Sequence, residues 1–193
     1  HAASRAQLTH TNKASALASP GWGPVGYVDR DNVYFRCGAL ELDTGLNFPM
    51  LKKLTAKVPV VKAMCGDDGA LLEMVLEKEP DAIIVEGFGR GNLPAGMMPA
   101  IKKAVKKGIF VVISTRASSG RVLDSTVFPG SVAQCLESGC LLAGETTTAK
   151  ARLLLMYVLS QKEAIQLKKE DPERFFAYVQ ECLDPVLTNR LFG

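Results

Sequence analysis

The 193-residue chain has only two histidines, His1 and His10, and no H-E-x-x-H or G-x-S-x-G pattern. The usual zinc-hydrolase and serine-hydrolase arrangements are therefore excluded. No pair among its five cysteines, Cys37, Cys65, Cys135, Cys140 and Cys182, has metal-ligand spacing. An odd number of thiols, most of them in or beside apolar runs, reads as free buried sulfur in a reducing cytoplasm. No apolar stretch approaches the roughly 20 residues of a membrane span, and none has the build of a secretory signal peptide. Charge of one sign is also scarce, with a net value of +3. The densest basic run, Lys102, Lys103, Lys106 and Lys107, falls on the outward side of a predicted helix and lacks interleaved aromatics for base stacking. It reads as a solvated face, so neither nucleic acid nor membrane is expected as a partner, and no metal or cofactor is expected.

Hydrophobic residues make up 47% of the chain, enough for a sizeable core and too many for general disorder. Residues 1–39 read as short strands. Pro20-Gly-Trp-Gly-Pro24 punctuates the chain before Val25–Val28, and a turn at Asp31-Asn32 leads to Val33–Arg36, the pattern of a hairpin. Residues 40–57 read as a linker. From residue 58 strands and helices alternate. Strands are predicted at Val58–Met64, Ala82–Val85, Ile109–Ser114 and Cys140–Ala143. Helices are predicted at Gly69–Lys78, Met97–Lys107, Ser131–Ser138 and from Thr146 or Thr147 to Ser160. Such alternation implies right-handed βαβ units and a parallel sheet. The expected fold is α/β: a small doubly wound parallel four-stranded sheet with helices on both faces, spanning 58–193 with a charged helical tail that Pro172 and Pro185 interrupt. The short β segment precedes it.

Three segments could carry chemistry. In Asp81-Ala-Ile-Ile-Val-Glu-Gly-Phe-Gly-Arg-Gly-Asn-Leu-Pro94 an apolar strand enters a glycine-rich loop and a helix follows, the place where an open α/β sheet puts its ligand. The spacing is G-x-G-x-G, which differs from the dinucleotide fingerprint. A structural strand-to-helix turn and a role at a site or subunit interface both fit. Gly108–Arg121 repeats the plan, ending in Ser114-Thr-Arg-Ala-Ser-Ser-Gly120. That loop could bind an anion through hydroxyls, Arg116 and N–H groups, or its hydroxyls could cap local turns. Gly144-Glu-Thr-Thr-Thr-Ala-Lys-Ala-Arg152 reads mainly as a helix start. Asp67-Asp68 at a strand end reads as helix capping.

In order and spacing these three segments resemble the C-terminal half of the L-asparaginase family, over roughly residues 1–160. The resemblance implies that Asn92, with Gly91 and Gly89, reaches towards the active site of a partner subunit. It also implies that an allosteric asparagine binds close to Thr115 and Arg116 in some members. His1-Ala-Ala-Ser-Arg-Ala-Gln-Leu-Thr-His-Thr11 resembles a family strand written H-A-A-R-x-V-x-K-T-x-T, and the family's catalytic lysine then aligns with Leu8. A leucine cannot relay a proton. Lys13, five residues away on the other strand face, is a poor substitute. The T-G-G-T-I and T-D-T motifs that carry the family's nucleophile and its Asp do not occur in this sequence.

Because it begins at His1, the sequence reads as starting inside something longer. The implied function is the C-terminal part of an asparaginase-type amidohydrolase, which converts L-asparagine to L-aspartate and ammonia in intact relatives. This chain alone is expected to be inactive. The alternative is a non-catalytic domain that binds an amino acid or pairs with a separate N-terminal half. An asparaginase-like subunit of a tRNA-dependent amidotransferase uses the same absent motifs, and the weak charge does not support it. Homo-oligomerisation, or such pairing, is expected to cover the apolar residues of the first segment, Trp22, Tyr27, Val33 and Phe35.

Overall fold

The computed structural model describes residues 6–35, 49–123 and 127–187. The expectations for His1, for Cys37, for linker residues 40–48 and for the tail beyond 187 lie outside these residues.

The N-terminal segment forms two antiparallel pairs. Strand β1 (Gln7–Leu8) pairs with β2 (Leu17–Ala18), and β3 (Gly26–Asp29) pairs with β4 (Asn32–Phe35). The hairpin is the expected one, but its turn sits one residue earlier. Asp29 faces Asn32, so Arg30 and Asp31 form the two-residue loop. Arg30 takes φ of +52° there, as the turns that match strand twist require. Tyr27 and Tyr34 stack across the ladder at 5.1 Å. Trp22, Tyr27, Val33 and Phe35 are exposed in the isolated chain.

The remainder is a three-layer α/β unit. Strands β5 (Val60–Lys62), β6 (Ala82–Gly87), β7 (Phe110–Thr115) and β8 (Leu141–Leu142) lie parallel in that order. The helices between them are α1 (Ala70–Leu76), α2 (Met98–Lys106, entered through a 3-10 turn at Ala95–Met97) and α3 (Val132–Glu137). After β8 come α4 (Thr148–Leu159), α5 (Lys162–Glu170) and α6 (Pro172–Leu187).

Strict alternation along the strands divides the core. Ile83, Val85, Val111 and Ile113 pack with α1, α2 and α3, whereas Ala82, Ile84, Phe110 and Val112 pack with α4, α5 and α6. Both faces of β6 and β7 are thus covered, which explains why they read as unbroken apolar runs. The parallel four-stranded sheet with helices on both faces is the expected one. Strand order never reverses, so all three crossovers place their helices on one face, and the helices after β8 cover the other. Pro172 opens α6, as a first helical position permits. Pro185 does not interrupt α6, which runs on to Leu187. Lys102, Lys103 and Lys106 of α2 and the C-cap Lys107 are exposed as expected, with Lys103 paired to Glu73 of α1.

Candidate functional site

The loops that leave the sheet at its C-terminal edge are stitched to one another. After β6 the chain closes a tight ring: Phe88 N donates to Asn92 O at 2.8 Å, while Gly91 N and Asn92 N both donate to Phe88 O. Two glycines make the ring feasible in different ways. Gly89 sits at φ +47° with open space around it. Gly91 sits at φ +111°, where a Cβ would lie 2.7 Å from Val122 Cγ1. The Asn92 Oδ1 accepts the Val132 N–H at 3.2 Å and Leu93 N donates to Gly130 O, so this loop also holds the start of α3. Ser131 caps that helix by accepting from Gln134 N, as predicted.

The loop after β7 leans on the first. The Thr115 hydroxyl donates to Gly89 O and accepts from Ala117 N. The Arg116 guanidinium donates to the carbonyls of Gly87, Ala63 and Glu86, and stacks 4.4 Å above the Phe88 ring. Arg116 therefore clamps the ends of β5 and β6, while Thr115 ties the two candidate loops together. The structure brings Gly89, Gly91, Asn92, Thr115 and Arg116 to one edge of the sheet. Leu8 stands apart: it is 66% exposed on β1, while its neighbour Gln7 turns the other way and donates from Nε2 to Ser118 O at 2.6 Å.

Beneath the second loop lies a polar cleft of about 260 Å³ between the strand ends and the start of α4. Its floor is one register row. Lys62 of β5 pairs with Glu86 of β6, and Glu86 with Ser114 of β7. Glu86 is buried, and its Oε2 accepts the Thr148 hydroxyl at 2.8 Å. Its Oε1 lies 3.0 Å from Lys62 Nζ but has no aligned hydrogen-bond donor. Ser114 Oγ is 3.0 Å from Thr148 Oγ1. A carboxylate at a helix N-terminus is favoured by the unpaired N–H groups there, and with Lys62, Arg116 and the hydroxyls it makes a cleft with donors and acceptors of both charges.

Sequence reasoning did not single out Lys62, Glu86 or Gln7, and reached Ser114 only as one hydroxyl of the Ser114–Gly120 loop. The one available signal was a glutamate closing the apolar run Ala82–Val85, on the strand face that α4 covers. Thr147 takes the N-cap position as expected, although its side chain makes no capping bond. Thr148 reaches the sheet instead.

A family model described as the glutaminase/asparaginase C-terminal domain matches residues 57–170. An L-asparaginase of Bacillus licheniformis is 32% identical over 160 residues, which cover 82% of this chain and 48% of that protein. A glutamyl-tRNA(Gln) amidotransferase subunit of Thermofilum pendens is 26% identical over 169 residues, 84% of this chain and 36% of that protein. Its counterpart from Halobacterium salinarum is 26% identical over 200 residues, 98% of this chain and 44% of that protein. The chain spans about half the length of the L-asparaginase it matches, and less of the two amidotransferase proteins.

Proposed function

Because this chain belongs to the glutaminase/asparaginase C-terminal-domain family, we propose that it supplies the C-terminal domain of an asparaginase-type amidohydrolase and does not turn over L-asparagine by itself. One observation carries this reading. The loop bearing Asn92 is held rigidly at the C-terminal edge of a parallel sheet, while the position that aligns with the family's catalytic lysine is Leu8, an exposed apolar side chain.

Under this reading residues 1–39 belong with an N-terminal domain, residues 40–57 link the two parts, and residues 58–193 form the C-terminal domain. Asn92 offers its side-chain NH₂ to a neighbouring active site, since its Oδ1 is engaged by Val132 N. Gly91 and Gly89 set the loop that presents it. The reacting hydroxyl and the Asp come from an N-terminal half, on the same or another polypeptide, while the lysine position is the one Leu8 occupies here. The assembly is a cytoplasmic homo-oligomer or a pair of halves, in which the apolar faces of β3 and β4 become covered.

A second reading is supported by the polar cleft. It has the charge pattern of an amino-acid site, with Glu86 facing an ammonium group and Lys62 or the α4 N-terminus facing a carboxylate. The tether from Thr115 to Gly89 would couple such a ligand to the Asn92 loop. In that case the chain binds L-asparagine without hydrolysing it.

Ammonia release from L-asparagine, followed with the purified 193-residue chain, tests the first reading. The expected rate equals that of a buffer blank, and turnover proportional to protein concentration would refute it. Calorimetric titration with L-asparagine on the same sample tests the second: binding is expected in the wild type and lost in Glu86→Gln.

A further inference from the structure

The sheet ends in an unpaired edge at β5, which strand order places outermost. Pairing with β6 engages every other residue of β5. Pro59 O accepts from Ile84 N, and Ala63 N donates to Glu86 O, each at 3.0 Å. By the same alternation Val60 and Lys62 aim their main-chain N–H and C=O groups away from the sheet. Among the described residues nothing pairs with those groups. Pro59 does not blunt the edge, because the N–H it lacks would face β6. A charged edge side chain is a common guard against strand addition. Here that side chain is Lys62, and its ammonium is turned to Glu86 at 3.0 Å.

The start of the same edge opens into a cleft of about 330 Å³. Its walls are apolar, with Val58, Val75 and Pro80 among them, and its charged lining residues are Lys57, Lys78 and Arg152. No carboxylate lines it: Glu77 and Glu79 flank Lys78 in sequence but stay outside the cleft. Arg152 donates from Nε to Val58 O at 2.8 Å, which anchors its guanidinium beside the edge. Lys57 and Lys78 form no ion pair among the described residues. Asp81 is already engaged by Lys57 N and by Lys168. Free main-chain groups beside an apolar pocket are what a sheet edge offers to an extended peptide. The main chain then supplies affinity, and the pocket selects among alternate side chains. An excess of positive charge around that pocket favours an acidic partner.

We propose that the β5 edge takes up an extended acidic segment of a partner protein as a fifth strand. Val60 and Lys62 supply the main-chain bonds. One apolar side chain of the segment fills the cleft, and its carboxylates face Lys57, Lys78 and Arg152. The cleft lies at the N-terminal end of β5, whereas the Asn92 loop leaves the C-terminal end of β6. Strand addition here therefore leaves the loops of the proposed amidohydrolase free, and it stands independently of that activity.

The test titrates the 193-residue chain into a fluorescein-labelled peptide of alternating glutamate and valine and follows fluorescence anisotropy. Saturable binding is expected, and a peptide of alternating lysine and valine should not bind. Two further acidic peptides carry N-methyl groups on alternate main-chain nitrogens, one in each register. The register that faces β5 should bind about tenfold more weakly or worse, while the other is tolerated. Val60→Pro removes an N–H that β6 does not use and should abolish binding. Should that variant fail to fold, the methylation pattern decides. Lys78→Glu should weaken binding at least about threefold, and Lys106→Glu on α2 should change nothing. The proposal is overturned if the acidic peptide fails to saturate by roughly 1 mM, or if the lysine peptide binds equally. Indifference to methylation in both registers would overturn it too, as would undiminished binding by Lys78→Glu or by a folded Val60→Pro chain.

Discussion

Glu86 and Thr148 are joined by a hydrogen bond of 2.8 Å that fastens the start of α4 to the end of β6. Glu86 is the one acidic side chain buried among the described residues, so the bond matters beyond its own strength. Removing the donor leaves Oε2 of a buried carboxylate unsatisfied, beside an Oε1 that already lacks an aligned donor.

Thr148→Val is therefore expected to destabilise the chain by about 1–3 kcal/mol, which for a domain of this size lowers Tm by roughly 2–4 °C per kcal/mol. Thr148→Ser keeps the hydroxyl and should recover most of the loss. Thermal unfolding followed by circular dichroism measures both. Equal Tm values for Thr148→Val and wild type would contradict the role given to this bond.

The two glycines of the β6 loop should respond unequally. Gly89 lies in the left-handed helical region with open space, so Gly89→Ala should cost about 1–2 kcal/mol. At Gly91 the backbone angle is less accessible to L-residues, and the added Cβ meets Val122, Ile113 and Val132. Gly91→Ala should cost more than about 2 kcal/mol. Urea midpoints of the two variants decide the order, and a reversed order would contradict the loop geometry.

The difference between those glycines shows what sequence can and cannot reveal. That Gly87-Phe-Gly-Arg-Gly-Asn92 turns tightly at a strand end is legible, because three alternating glycines after an apolar run serve little else. Which glycine is indispensable depends on Val122 and Val132, far along the chain. The four strands are legible for a similar reason, since burial on both faces leaves runs such as Phe-Val-Val-Ile in β7. The cleft is not. Its floor is a register row across three strands, and register follows from how the sheet assembles, which no local spacing encodes. Arg116 reads as an anion-binding candidate because an arginine in a Ser/Thr loop permits that. Its observed carbonyl partners sit at the ends of β5 and β6 and become visible only once the strands are aligned. Pro185 reads as a helix break on local grounds, yet α6 continues through it.

Asp81 gives a pH signature. Its burial pushes the carboxyl upward and is the largest single influence, but it is outweighed together by the Lys168 hydrogen bond, the Lys57 backbone N–H and the charges of both lysines. The net pKa lies below the ordinary 3.8. A carboxyl depressed in the folded state stabilises the fold above its unfolded pKa, and that stability is lost as pH falls through the folded value. Lys168 and Asp81 are both partly exposed, so the contribution is at most about 1 kcal/mol. Urea midpoints of Asp81→Asn should fall below wild type near neutral pH and converge with it as pH falls through the lowered folded-state pKa. A constant gap across this range would contradict the assignment.

Under the proposed function, these residues provide the scaffold and the Asn92 loop of an amidohydrolase whose reacting hydroxyl and Asp lie in an N-terminal half. The most direct measurement mixes the chain with a separately purified polypeptide covering the N-terminal half of the Bacillus licheniformis L-asparaginase and follows ammonia release from L-asparagine. Because Leu8 stands at the lysine position, activity absent from either polypeptide should appear in the mixture made with Leu8→Lys. It should fall at least about tenfold with Asn92→Asp, which keeps the acceptor for Val132 N but removes the NH₂ donor. Ammonia production by this chain alone, or a mixture whose activity is unchanged by Asn92→Asp, would contradict the account.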